Sequence, residues 1–428
     1  MCFLLPALRT TSTEHTLNGH PAGTKWPRSR SVPFPPRGIL ENWKHVRNEK
    51  KGDTLVGSTE ARVRAVLGLR SAGPQGNWPE EPVDPDRLIS AYEKRYGKPP
   101  KGVWHSPGRL ALMGEHTVVS DGVGLYVALP WGVTAAVGPS DGPDVHVCTP
   151  SGPVPARGTV VDAVERSVDR ARRTDVLAPG AGVHVMLSSD LPPRSSLGYA
   201  SAVETVTGLA LADLGGAPPP ERVGVDERVA LDARPGHAVR VNFRNLRSTV
   251  LPFDPVCEDL RLMIIDTGAL PRRDPRPLRE AELRRAREIL GPLRSIQDLS
   301  SALRRLPEAP LRARVEHAVT EVHRLNAAVG LLRAGRFGEL GPILSASHLS
   351  LRRFELPTTE VDLVSEIATR SGARGVRMTG WRGTVLVLAA VERVDKIDSA
   401  VVSTFEKKGW VPPRVRTALP GAGTHRLR

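Results

Sequence analysis

Cysteine is scarce: Cys2, Cys148 and Cys257 are three in 428 residues. They are too scattered for a disulfide framework or a zinc site, and they suit a reducing compartment. Long apolar runs are missing as well. Stretches such as 110–113, 125–129 and 385–391 fall far short of the ~20 residues a membrane-spanning helix needs, so a soluble chain is expected. The opening MCFLLPAL has no basic segment and meets Pro6 early, which argues against a secretory signal and leaves the cytoplasm as the expected location. Internal repeats are absent. Lysine, asparagine and isoleucine are sparse beside arginine, alanine, glycine and proline, the usage of a GC-rich genome. The formal charge of +14 is therefore read as composition and not as a footprint for nucleic acid. Its densest run, Arg272 to Arg287, interleaves Glu280 and Glu282 as the solvated face of a helix.

What is present suits two packed lobes. The chain exceeds one ordinary domain, and 40% hydrophobic residues supply real cores. Residues 1–83 show no sustained periodicity beyond a brief helical stretch at Glu60 to Leu69, and read as a disordered extension or as the product of a misplaced start codon. Folded texture begins at Asp84, a helix cap followed by Pro85. Strand-like segments follow at 102–114 and 122–138, then a strand, loop and helix at 182–214 that ends on Gly215 and Gly216. Residues 278–332 read as two or three long amphipathic helices, and 376–392 as two strands around a turn. The expected class is α+β, with a strand-rich lobe over 84–260, a helix-rich lobe over 261–420 and a loose tail over 421–428.

Three motifs carry a resemblance. PGRLALMGEHT is similar to the galactokinase signature PGRVNLIGEHTDY; LPPRSSLGYASAVE sits where that family has VPLGAGLSSSASLE; GVRMTGWRG sits where it has GVRMTGGGFGG. The chain is thus identified as a member of the superfamily of galacto-, homoserine, mevalonate and phosphomevalonate kinases, over roughly Leu88 to Pro420. The resemblance implies a two-lobed fold of that superfamily, with ATP and Mg2+ as cofactors of an active form and a sugar or sugar-like alcohol as substrate. Neither a nucleic-acid nor a membrane partner is expected.

Phosphoryl transfer needs a backbone cradle for the phosphates and a poised acceptor hydroxyl. By resemblance, Arg109 is the arginine that stabilises the transferring group, and Glu115 and His116 are sugar-site residues. Read from the residues alone, Glu115 and His116 equally suit a helix-capping or inter-strand pair. Val118 and Val119 replace the family's sugar-gripping aspartate and the tyrosine after it. The cradle positions become Arg194, Ser195, Ser196, Leu197, Gly198, Tyr199, Ala200 and Ser201. Ala200 falls where the family uses a serine at magnesium, so no metal ligand is assigned. Arg194 and the serines would have to build a shifted cradle, with Gly380 from the third motif; a plain strand-to-helix loop is the alternative. Asp226, eleven residues before His237, matches the catalytic aspartate, yet the connection from Gly216 is short and lacks a helix. Asp226 with Glu227 and Arg228 equally reads as an exposed charged turn. Near Asp274 to Leu278 the family's sugar-contacting tyrosine has no equivalent. The expectation is a galactokinase-like protein that is catalytically impaired and keeps a binding or regulatory role. An active kinase phosphorylating galactose, a modified sugar or another small alcohol is the alternative.

Overall fold

Asp84 opens the first helix as expected: its carboxylate accepts the Asp86 N–H at 2.9 Å, Pro85 fills the first helical position, and Gly97 closes the end. The computed structural model describes residues 82–155, 158–192, 194–220 and 223–428. The extension expected over 1–83, with its helical stretch at Glu60 to Leu69, lies outside the described residues up to position 81.

Helix α1 (Pro85–Tyr96) leads into β1 (Gly102–Met113), a short 3₁₀ turn at Glu115–Ser120, and the long β2 (Val123–Pro139). Both strands are buried along nearly their whole length, which explains their almost unbroken apolar runs. Next come β3 (Val145–Thr149), β4 (Gly152–Pro153), α2 (Thr159–Arg173), β5 (Val183–Ser189), α3 (Tyr199–Leu214), α4 (Val225–Asp232), β6 (His237–Asn242) and β7 (Ser248–Pro252). The rest comprises β8 (Leu260–Asp266), α5 (Arg276–Leu290), α6 (Leu299–Arg304), α7 (Ala309–Arg333), α8 (Leu340–Arg353), α9 (Thr359–Arg370), β9 (Gly375–Thr379), β10 (Thr384–Ala390), α10 (Val394–Lys407), β11 (Arg414–Ala418) and β12 (His425–Arg426).

Among the described residues, eight strands form one sheet in the order β12-β1-β2-β5-β3-β4, with β6 on β2 and β7 on β6. Four more, β11-β8-β10-β9, form a second, antiparallel sheet. The mixed α+β fold with a strand-rich first lobe and a helical second one is the expected class. Helix α3 is apolar around much of its circumference because it is enclosed: Ala202, Val203, Val206 and Ala210 join the first core, and α2 covers it with Ala163, Val164 and Val168. Helix α7, 25 residues and so about 37 Å long, belongs to both cores. Leu311, Val315 and Ala318 pack under the second sheet, while Leu325, Ala328 and Leu332 pack under the first.

The tail departs from expectation. Residues 421–428 are not loose: Arg426 and His425 pair with Trp104 and His105 on β1, the Thr424 N–H donates to Ala230 O at 2.7 Å, and the Leu427 N–H donates to Val103 O at 2.7 Å. Arg426 also lies 5.0 Å over the Trp104 ring and donates to Asp213 at 3.0 Å. Eight residues with little apolar content gave no sign of this. Their binding comes from backbone pairing with a strand far away in sequence.

Candidate active site

Arg109 stands at a register shift in β1, where its backbone turns to donate to Leu197 O at 2.9 Å. Its side chain forks onto Asp226, Nε to Oδ1 at 2.5 Å and Nη2 to Oδ2 at 2.8 Å. A third contact joins them to α3, because Ser201 Oγ donates to Asp226 Oδ2 at 3.0 Å. Asp226 is therefore no exposed turn; it sits in the first turn of α4 with its side chain 26% exposed. Burial pushes its carboxyl up, but the charge and hydrogen bonds of Arg109, the Ser201 bond and the field of Arg276 outweigh this and hold it below the usual range.

The helix that seemed missing before Asp226 is replaced by side-chain anchorage. Glu227, the next residue, accepts the Gly224 N–H at 2.6 Å with one oxygen and Arg170 at 2.8 Å with the other. Arg170 reaches Glu204 on α3 at 2.9 Å, so α2 and α3 together fix the start of α4. The tail fixes its other end through Ala230. A short helix held at both ends presents Asp226 without the connection the family uses.

The loop before α3 is packed rather than open. Arg194 is exposed at φ 64°, and its carbonyl accepts from Arg382 at 3.1 Å. Ser195 turns inward, its N–H and hydroxyl both donating to Pro192 O. The Ser196 N–H donates to Thr384 Oγ1 at 3.3 Å, and its carbonyl accepts from Arg109. Gly198, at φ 79°, leaves room for Arg109: a Cβ there would lie 2.9 Å from Arg109 Cγ. Gly380, at φ 67°, is tighter still, since a Cβ would stand 2.4 Å from the Ser196 Cβ. No side chain caps the α3 N-terminus, and Tyr199 packs against the first core.

Glu115 and His116 open the 3₁₀ turn after β1, and the charge of Glu115 reaches Arg109. Arg377 on β9 forks onto Glu115 with two 2.8 Å bonds and reaches Glu321 at 3.3 Å and Ser347 at 2.8 Å. Glu321 in turn accepts from the Gly114 N–H, Ser347 and Arg324. Both faces of Gly380 are held: its N–H donates to Glu115 at 2.9 Å, and its carbonyl faces His116 Nε2 at 2.8 Å. Through Arg377 and Gly380, the Glu115–His116 turn links the end of the first sheet's β1 to the turn of the second sheet. Arg377 and Glu321 were missed. The available signal was an arginine inside the apolar strand GVRMT, since a charge buried in a sheet needs a carboxylate partner.

Beyond that turn, the edge of Trp381 meets His116 at 4.6 Å, and Arg276 lies 5.3 Å over the Trp381 ring. Val118 is 44% exposed, and Arg287 ties the same 3₁₀ turn down through Val119 O and Asp121. A magnesium ion would need oxygen ligands beside the α3 N-terminus. There Ala200 has none, both Asp226 oxygens face Arg109, Ser201 points its hydroxyl at Asp226, and the buried Ser196 Oγ is a single oxygen without a partner, too few for an ion that wants several. Among the described residues no cluster of three His, Cys, Asp or Glu side chains suits a metal. The residues present do not fit magnesium.

Arg109, Asp226, Gly198 and Ser201 are thus together, with Ser196 and Gly380 beside them, while the Arg194 side chain is exposed and Glu115 lies beneath the turn. Residues 90–139 match the family model described as the galactokinase galactose-binding signature. Galactokinase of Streptomyces coelicolor is 33% identical over 383 residues, 78% of this chain and 97% of that protein. Galactokinase of Mycobacterium bovis is 31% identical over 354 residues, 74% and 97% of the two chains. Among solved structures, Lactococcus lactis galactokinase complexed with galactose matches with a TM-score of 0.73 at 21% identity, covering 80% of this chain and 99% of that one. Mevalonate kinase of L. major in complex with R-mevalonate matches with a TM-score of 0.50 at 17% identity, covering 76% of this chain and 97% of that one. These two likenesses concern the fold alone.

Proposed function

Because the chain belongs to the galactokinase family, we propose that it is a galactokinase-like protein whose phosphoryl transfer from ATP to galactose is impaired, and whose cleft keeps a binding or regulatory role. The observation that carries this reading is the close seat of Gly380 against Ser196, which sets the turn of the third motif directly on the loop that a phosphate cradle would use. The inward-turned Ser195 and Ser196 amides support it, because an amide already bonded to Pro192 or Thr384 is not aimed at an anion. Val118 supports it too, since a valine offers a sugar hydroxyl no hydrogen bond. A cytoplasmic location belongs to the same proposal. Its support is the free Cys148 and Cys257; among the described residues no helix is long and apolar enough to cross a membrane.

One observation favours a second reading, an active ATP-dependent kinase with an altered alcohol substrate. Asp226 and Arg109 are held together at an uncapped helix N-terminus, where a reacting hydroxyl and a phosphoryl group would meet. Calorimetric titration of ATP with and without magnesium, coupled to an ADP-release assay with galactose, separates the two. Impairment predicts weak, magnesium-insensitive ATP binding and background ADP release. Tight Mg-ATP binding that Arg194→Ala abolishes, with ADP release dependent on Arg109 and Asp226, overturns impairment in favour of the active kinase.

A further inference from the structure

Several arginines around the site are paired with carboxylates. Arg109 has Asp226, Arg377 has Glu115 and Glu321, Arg287 has Asp121, and Arg279 has Glu282 and Glu355. Arg276 differs. It is exposed at the start of α5 and forms no ion pair among the described residues. The nearest acid in sequence, Asp274, places one oxygen 2.9 Å from the Arg276 backbone N–H and makes no ion pair with its guanidinium. Trp381 lies beneath that guanidinium and is itself held by the edge of His116. Stacking on an aromatic face orients a guanidinium while its in-plane N–H donors stay available.

The site therefore carries positive charge that no carboxylate answers, on Arg276 and on the exposed Arg194 and Arg382, while its carboxylates already face arginines. Glu115 is spent on Arg377, Asp226 on Arg109, and Val118 is apolar. Arg276 is near enough to Asp226 to help hold its carboxyl down. A ligand with a hydroxyl toward Asp226 and an anionic group toward Arg276 would satisfy both. A neutral hexose would leave the charge unanswered.

We propose that the cleft between Asp226 and Trp381 takes an acidic sugar or polyol, one bearing a carboxylate or phosphate that pairs with the guanidinium of Arg276. The inference rests on reading that cleft as the acceptor site, and it makes no demand on ATP. Calorimetric titration of the full chain without nucleotide, at low salt, would compare galactose, galacturonate, galactose 6-phosphate and inorganic phosphate. One of the two acidic sugars should bind at least about tenfold tighter than galactose, and which one does so separates a carboxylate site from a phosphate site. Arg276→Gln should cut that advantage to about twofold while Arg276→Lys keeps part of it, with thermal midpoints unchanged because the side chain is exposed. Equal or tighter binding of galactose, an advantage that survives Arg276→Gln, inorganic phosphate binding as tightly as the sugars, or no binding of any of the four overturns the proposal. Failure of the impaired-kinase reading registers elsewhere, as Mg-ATP-dependent ADP release, so the two are told apart.

Discussion

Arg109 with Asp226 and Arg377 with Glu115 are the same chemical unit, a guanidinium forked onto a carboxylate, placed in two settings. The first pair is partly open, with side chains 17% and 26% exposed, at a helix end that nothing else caps. The second is sealed, at 0% and 4%, and the further hydrogen bonds of its two side chains go to Glu321, Ser347, Met378 and Gly380. A sealed pair cannot trade partners without leaving a buried charge, so its role is to fix the two sheets and the turn between them. The open pair can exchange Asp226 or Arg109 for a ligand at modest cost. Family likeness alone would have put Glu115 and Asp226 in one functional class; burial separates them.

Removing the sealed cation should have the largest effect. Arg377→Met leaves Glu115 and Glu321 buried without compensation and should cost about 3–5 kcal/mol, read from urea midpoints or, failing that, from loss of soluble protein. A cost under about 1 kcal/mol would mean that the network is not closed.

Truncation after Pro420 comes next. It removes the Thr424 bond to Ala230, the Arg426 bond to Asp213 and the β12 pairing with β1, and should lower stability by roughly 2 kcal/mol. If α4 is held from this side, Asp226 should also become more mobile, visible as faster amide exchange over 225–232.

The pH response of the sealed region has a definite sign. Burial, assisted by His116, Arg324 and Arg377 against the opposing pull of Glu321, lowers His317 to about 3. The unfolded chain takes up that proton near the ordinary value of 6.5, so stability is full above 6.5 and falls as pH drops toward 3. Glu321 acts in the same direction at lower pH. Burial pushes it up, but His317, Arg377, Arg324 and Ser347 bring it to about 2, so its contribution is present above about 4.5 and lost toward 2. His105, lowered to about 4 by burial and by His425, adds to the upper limb. His317→Gln should therefore flatten the decline between pH 6.5 and 4.5 by up to about 1.4 kcal/mol per pH unit, leaving the limb of His105, His116 and His184, which burial also lowers. An unchanged slope would show His317 to be solvated.

The open pair should show the smallest effect on stability. Asp226→Asn keeps one oxygen for Arg109 Nε but turns an NH2 group toward the other donors, and because the pair is partly exposed it should cost no more than about 2 kcal/mol. Any ADP release the protein has should fall by about 100-fold or more, because amide cannot accept the proton of an attacking hydroxyl. A stability loss as large as that of Arg377→Met would erase the distinction between the two pairs.

Where the sequence spoke, it did so through neighbours along the chain. Asp84 with Pro85, Gly215 with Gly216, the enclosed apolar run of α3 and the PGRLALMGEHT motif are contiguous signals, and helix ends, strand burial and family follow from such spacing because capping and periodicity act within a few residues. Tertiary structure decided the rest. Asp226 is placed by Glu227 reaching Arg170, by Arg109 and by a tail two hundred residues away in sequence, while Glu115 is claimed by Arg377 at a separation of 262. Whether a carboxylate faces a ligand or a buried guanidinium depends on which surfaces meet when the two sheets close, and no local pattern encodes that meeting.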